Sequence, residues 1–462
     1  MKKSKYICIL LFLLPVIAIA QQPWFKSSAL VNNWKNVGNT GFSAGQADWT
    51  SLAFNPLDDK PYVAYVDLAN DFKATVMMFD GTNWVNVGSP GFSSGEAEFT
   101  CLAFSPSGQP YVAYADYNLF HKTSVMKFDG TNWVYVGTPG FSAWFAGYVN
   151  LKFDSSGQPY VAYMDYGNSM YTTVMKFDGA NWVNVGSPGF SAGIALSVSL
   201  AIDLNGLPYV SYSDDGNSKK ATVMKFNGTN WVNVGSAGFS SDTVSDLSLA
   251  FSPSGQPYVA YQDWANFKKA TVMKFDGTNW ENVGSPGFSA GEADYESLVF
   301  SRSGEAFLAF RDDAHSEKAS LMKFDGINWI SIGILGFSSG TEDYTSLAFN
   351  RSDQPYVAYS DRVSNYNATV MKYDSTFIGI NEQTQSNFMI YPNPATDKIT
   401  IQSPSTPVNT QLSIMNLNSQ ELITQKISEP KSIINISTLP NGLYFIRLTN
   451  DKTVEVAKFI KQ

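Results

Sequence analysis

Seven aspartates, Asp67, Asp116, Asp165, Asp214, Asp263, Asp312 and Asp361, recur every 49 residues along the chain. A ring of carboxylates made by repetition could hold a divalent cation, which wants several oxygens close together, or a polyhydroxylated ligand. Repetition also has a plainer reading. A carboxylate at a strand end accepts backbone N–H bonds and fixes the loop that follows, and one such loop would be needed in every repeat. A ring spread over seven repeats is too wide for a single ion, so the aspartates are expected to be structural and no metal or other cofactor is expected.

Other chemistry-bearing patterns follow the same period. The string Gly-x-Ser-x-Gly stands at Gly41 to Gly45, Gly91 to Gly95, Gly189 to Gly193, Gly287 to Gly291 and Gly336 to Gly340, and is broken in the other copies at Trp144 and Asp242. A serine nucleophile needs one such turn and a histidine partner, whereas this turn repeats and the only histidines are His121 and His315. Two isolated histidines do not make a zinc site either. Acidic pairs occur at Glu96 and Glu98, Glu292 and Asp294, and Glu342 and Asp343. Solvated loop charge is the first reading of them, and a carboxylate acid and base acting on a glycan is the alternative. Loop aromatics, among them Tyr117, Phe120, Trp144, Phe145, Trp264 and Phe267, could stack on sugar rings or meet a protein. Tyr117, Phe120, Trp144, Trp264, Glu292 and Asp294 are therefore the candidate ligand contacts.

These residues sit on a repeat whose anchor tryptophans are Trp34, Trp84, Trp133, Trp182, Trp231, Trp280 and Trp329. Near-copies at constant spacing mean stacked units, because one short β unit cannot bury its own apolar faces. Each unit has four short runs, as in Ser248 to Phe251, Pro257 to Asp263, Ala270 to Phe275 and Trp280 to Val283, separated by turn residues. That pattern predicts a four-stranded antiparallel meander. Runs such as Tyr-Val-Ala-Tyr lack polar alternation, which predicts sheets covered on both faces. Such sheets packed around an axis make a β-propeller. The first copy begins at its fourth run, Trp34 to Val37, and the last stops after its third, Ala368 to Tyr373. The N-terminal strand should therefore complete the last of seven blades and leave no open edge. In this order the loops after the second and fourth strands share one face. The loop after the second strand varies most between copies, so that face is the expected place for recognition.

The turn Asp276-Gly277-Thr278-Asn279-Trp280 is similar to the Asp-box of sialidase-like propellers. It departs from that box in having Gly directly after Asp and Lys274 in place of serine. Sialidases also need an arginine cluster, and the repeat region has only Arg302, Arg311, Arg351 and Arg362, all in the last two units. A hairpin turn leading into an outer-strand tryptophan is the better reading.

Composition narrows the class. The 462 residues are 15% aromatic and 15% charged, which suits packed β structure. Lys2, Lys3 and Lys5 precede an apolar run from Tyr6 to Ile19 and an Ala18-Ile19-Ala20 cleavage pattern, so residues 1–20 read as a secretory signal peptide. No second run is long enough to cross a bilayer. Cys8 lies in that signal, and Cys101 stands where the other copies mostly carry serine, which predicts a buried strand thiol. Residues 21–387 carry 21 basic and 35 acidic residues, a surface that repels nucleic acid.

The repeats end at 376, residues 377–387 read as a polar linker, and residues 388–462 read as a small β-sandwich. This last segment resembles the type A C-terminal sorting domain of proteins exported by the type IX, or Por, secretion system. The resemblance rests on Tyr391-Pro392-Asn393-Pro394-Ala395 with Asp397, on Leu439-Pro440-Asn441-Gly442-Leu443-Tyr444, and on Lys458-Phe459-Ile460-Lys461-Gln462. It implies passage through the periplasm, recognition by the type IX machinery at the outer membrane, and release or surface attachment. The whole is thus expected to be an all-β protein: a seven-bladed β-propeller closed by its N-terminal strand, then a β-sandwich. It is expected to act as a monomer and a non-catalytic glycan- or protein-binding module. A polysaccharide-degrading enzyme and a structural surface component are the alternatives.

Overall fold

The computed structural model describes residues 33–374, 388–403, 410–416, 421–450 and 454–462. The expected signal peptide and linker lie outside them. The chain divides into two units, Met1–Ser375 and Thr376–Gln462.

The larger unit contains seven blade-like sheets of four antiparallel strands. In the first complete sheet the strands are Ala47–Phe54, Pro61–Asp67, Lys73–Phe79 and Trp84–Asn86. The seventh sheet is composite, since Trp34–Asn36 pairs with Asn367–Tyr373 in the register Trp34↔Tyr373 and Asn36↔Met371. Second strands are covered on both faces. Every residue of Pro61–Asp67 is buried, which is why that run shows no polar alternation. The hairpin before the fourth strand is held by an aspartate in five sheets and by Asn227 in a sixth: Asp80 Oδ1 accepts from the N–H groups of Thr82 (2.7 Å) and Asn83 (2.8 Å).

Neighbouring sheets are stapled at two radii. At the outer seam, Trp84 Nε1 donates to the Val37 carbonyl at 2.7 Å, and its ring stacks on Phe42 at 4.2 Å. The same pair of contacts is made by the other repeat tryptophans, down to Trp34, which donates to Ile332 O and stacks on Phe337 at 3.7 Å. At the inner seam, a serine on five of the seven first strands accepts from the next first strand, and Asn150 Nδ2 instead donates to Val198 O. Leu102 N donates to Ser51 Oγ at 3.0 Å, and Leu52 N donates to Ser346 Oγ of the seventh sheet at 3.0 Å. Cys101 fills this serine role, with Leu151 N donating to its Sγ at 3.3 Å, and it is half-buried rather than fully enclosed.

First strands are longer than the sequence reading and are bulged. The strand expected at Ser248 to Phe251 runs from Val244 to Phe251, and its pairing slips between Ser245 and Ser248. A bulge admits one extra residue and turns its side chain away from the ladder.

The smaller unit has a three-stranded and a four-stranded antiparallel sheet. Ile399, Ile401, Leu412, Ile414, Ile434, Ile446 and Phe459, drawn from both, share one core, an arrangement consistent with a β-sandwich.

Candidate functional site

At one end of each blade the second strand ends on its repeat aspartate and passes into a one-turn 3-10 helix. Asp67 is 1% exposed. Its Oδ1 accepts from Ala69 N, and its Oδ2 from Asn70 Nδ2 and Thr75 Oγ1. The same oxygens cap the turn at Asp116, Asp165, Asp214, Asp263 and Asp361. Asp312 departs from the pattern, since its Oδ2 meets His315 Nδ1 and Ser320 Oγ at 2.8 Å and it makes no cap bond. Two left-handed residues follow each turn, as at Phe120 (φ 59°) and His121 (φ 55°). These carboxylates are engaged by backbone and neighbouring side chains, and among the described residues no group of three or more His, Cys, Asp or Glu is placed to hold a metal.

The serines of the Gly-x-Ser-x-Gly strings serve the same loops. Ser93 Oγ accepts from Ala74 N at 2.9 Å and donates to Gly95 O at 2.7 Å. Both of its hydrogen-bonding roles are occupied and it is buried.

The loop aromatics fall into two patches. Phe120 and Trp144 come from neighbouring blades and lie near-parallel, 12° apart, with centroids 6.1 Å apart. They are 70% and 54% exposed. Tyr117 packs edge-on to His121, whose Nδ1 lies 3.0 Å from Glu98 Oε2. Trp264, on a different blade, carries Lys268 Nζ over its ring at 5.2 Å, beside the exposed Phe267. Of the acidic candidates, Glu292 pairs with Lys268 at 3.2 Å and Asp294 with Arg311 at 2.5 Å, so the two engage different cations. Arg311 also reaches Asp343 at 2.7 Å. Reading Glu342 as solvated charge needs correction. It is fully buried, because it replaces the Ala or Val that begins the other first strands, and burial pushes its carboxyl up to about 8.

Sequence reasoning missed the axis. The extra residue of the seven bulges is Trp49, Phe99, Tyr148, Ser197, Asp246, Tyr295 or Tyr344, each left-handed with φ between 49° and 61°. Five aromatic rings run in an arc: Tyr148 to Phe99 (5.6 Å), Phe99 to Trp49 (5.4 Å), Trp49 to Tyr344 (5.5 Å) and Tyr344 to Tyr295 (5.3 Å). A cavity of 240 Å³ is lined by Trp49, Tyr148, Tyr295 and Tyr344 of this arc, by Ser197 and Asp246, and also by Glu296, Thr50, Thr100 and Thr345. A signal was present, for this column is aromatic in five of seven copies, but the expected strands stop short of it.

In the smaller unit the motif residues tie the chain end to the sheet. Asn393 Nδ2 donates to Lys458 O and its Oδ1 accepts from Ile460 N at 2.9 Å. Tyr391 donates to Gln402 Oε1, and both Tyr391-Pro392 and Asn393-Pro394 are cis. Gly442 opens the strand that pairs with the C-terminal one, Gly442↔Lys461. Tyr444 donates to Pro440 O at 2.7 Å and stacks on Phe459. Residues 389–462 match the family described as the secretion system C-terminal sorting domain. This unit is a type IX sorting domain. The sorting domain implies engagement with the secretion machinery and delivery to the cell surface or beyond. Among the described residues no helix is long and apolar enough to cross a membrane.

No curated protein matches the chain. Among solved structures it is similar to PorZ, a surface component of the type IX secretion system of Porphyromonas gingivalis, at 13% identity and TM-score 0.47. That match covers 89% of this chain and 59% of PorZ, so the chain spans less than two thirds of that protein. A polysaccharide lyase, the PL25 ulvan lyase, is similar at 12% identity and TM-score 0.49, over 73% of this chain and 95% of the lyase. The Aleuria aurantia lectin is similar at 17% identity and TM-score 0.45, over 65% of this chain and all of the lectin.

Proposed function

We propose that this type IX-exported protein is a closed seven-bladed β-propeller that acts outside the cell as a monomeric, non-catalytic glycan-binding module. Closure is supported by the pairing of Trp34 with Tyr373 and by the bond from Leu52 to Ser346, which join the chain's first and last repeats. The glycan reading is carried by the Phe120 and Trp144 pair. Two large, near-parallel rings held by neighbouring blades and left exposed offer apolar faces to the C–H face of a sugar. The loop beneath them is stiffened by the buried Asp116, which lowers the entropy cost of binding. Glu292 and Asp294, the carboxylates that would serve a hydrolytic reading, are engaged with separate cations.

The test passes the purified protein over a panel of immobilised bacterial and algal polysaccharides, measuring retention and new reducing ends together. Retention without cleavage is expected. The double variant Phe120→Ala, Trp144→Ala should weaken it about tenfold or more while the circular dichroism spectrum is unchanged. Cleavage, or retention indifferent to the double variant, would sink this reading.

A further inference from the structure

We propose that the axial cavity is a second, separate binding site, for an organic ammonium ion, with Trp49, Tyr148, Tyr295 and Tyr344 around the cation, Asp246 as its counter-charge and Glu296 as a hydrogen-bond partner. It does not rest on the loop aromatics.

Three observations converge on a cation. First, the lining includes an arc of aromatic rings, each tilted 38° to 52° on the next, and aromatic faces attract cations. Second, Glu296 lines the cavity, is 7% exposed, and neither of its carboxylate oxygens has a hydrogen-bond partner. The equivalent positions hold Thr50, Thr100, Val149, Val198, Leu247 and Thr345, so the repeat does not need an acid there. A buried acceptor left unmade is costly unless a ligand completes it. Third, the surrounding charge is one-sided. Asp246, Asp294 and Asp343 face a single guanidinium, Arg311, which is held by Asp294 and Asp343 and lies over the Tyr295 ring at 5.0 Å, while burial holds Glu296 and Glu342 toward their neutral forms.

The same features exclude other occupants. An anion would meet the excess of carboxyl groups. A metal ion needs several carboxylates converging at one point, and among the described residues no such group exists. A wholly apolar ligand would leave Glu296 unpartnered. The 240 Å³ volume accommodates a small alkylammonium group. Strain points to the same place, since a bulky left-handed residue persists only where its surroundings hold it, and such residues gather at ligand sites. The bulges that carry the aromatic side chains are of this kind.

The test is isothermal titration of the full-length protein with choline and with n-butylammonium, each beside an uncharged analogue of similar shape, 3,3-dimethyl-1-butanol and 1-pentanol. At least one ammonium should bind, about tenfold or more tighter than its neutral analogue. Stronger choline binding would assign the site to methylated ammonium groups, and stronger butylammonium binding to primary amines. Asp246→Asn should weaken binding about tenfold, and Tyr344→Leu should weaken choline, with near-ultraviolet dichroism checking that each variant is folded. The Phe120→Ala, Trp144→Ala variant should bind ammonium as the parent does, which separates this site from the glycan reading. Equal binding of the neutral analogues, or no ammonium binding up to about 50 mM, would overturn the proposal. So would full retention of binding in folded Asp246→Asn.

Discussion

Two columns of residues repeat with the blade, and they behave in opposite ways. The outer column is tryptophan in all seven copies, Trp34 to Trp329, whereas the axial column reads Trp49, Phe99, Tyr148, Ser197, Asp246, Tyr295 and Tyr344. Each outer tryptophan meets two demands at once: its indole N–H donates to a carbonyl of the preceding sheet, and its face stacks on that sheet's phenylalanine. No other side chain supplies both a donor and a flat apolar face of that size. At the axis the main chain sets the bulge and the inner serines bond the sheets together, so the side chain has only to face the cavity. Uniformity within the chain thus marks geometric demand, and variety marks a place where the fold leaves the residue free to specialise.

The largest expected effect tests the outer column. Trp182→Ala removes a buried ring and leaves the Val136 carbonyl without its donor, and should cost about 3–5 kcal/mol in denaturant unfolding of the repeat unit. A loss below about 1 kcal/mol would break the comparison.

Glu342→Gln probes the place where an acid replaces a small apolar residue near the axis. A carboxyl raised from its ordinary 4.5 to about 8 in the folded protein binds more protons folded than unfolded, so stability falls as pH rises between those values. Glutamine keeps the acceptor for Thr345 Oγ1 without the charge. The variant should match the parent near pH 4.5 and exceed it above pH 8 by on the order of 2–4 kcal/mol. A thermal melt series across that window would show it. An advantage greatest at low pH would contradict the burial argument.

The smallest effect belongs to the axial column. Phe99→Leu keeps an apolar side chain of similar bulk and should cost about 1 kcal/mol, with an unchanged dichroism spectrum. A cost equal to that of Trp182→Ala would show that the axial rings are structural, and the two columns would no longer differ.

Much of the fold was legible because it is written in local chemistry. Asp80-Gly81-Thr82-Asn83 is a turn by its own side-chain bonding, and Pro61–Asp67 reads as doubly covered from its unbroken apolar run. The first repeat lacks three runs and the last lacks its fourth, so each supplies what the other needs, and Trp34 does pair with Tyr373. The candidate aromatics were legible as loop residues, but only the fold sets Phe120 against Trp144 and puts Trp264 on another patch. Glu292 and Asp294 looked like a pair because they are two residues apart, yet a loop and a strand send them to different cations.

By itself the sequence determined the repeat, its strands and turns, and the sorting domain, since all of these follow from short-range pattern and from motifs a few residues long. Only the tertiary structure decided what meets at the axis. Tyr148 and Tyr344 are four repeats apart in sequence, and they line one cavity because seven bulges turn their extra residues toward the same line. A left-handed aromatic is not favoured by local propensity. The surrounding sheets impose it, and with it the burial of Glu296 and Glu342.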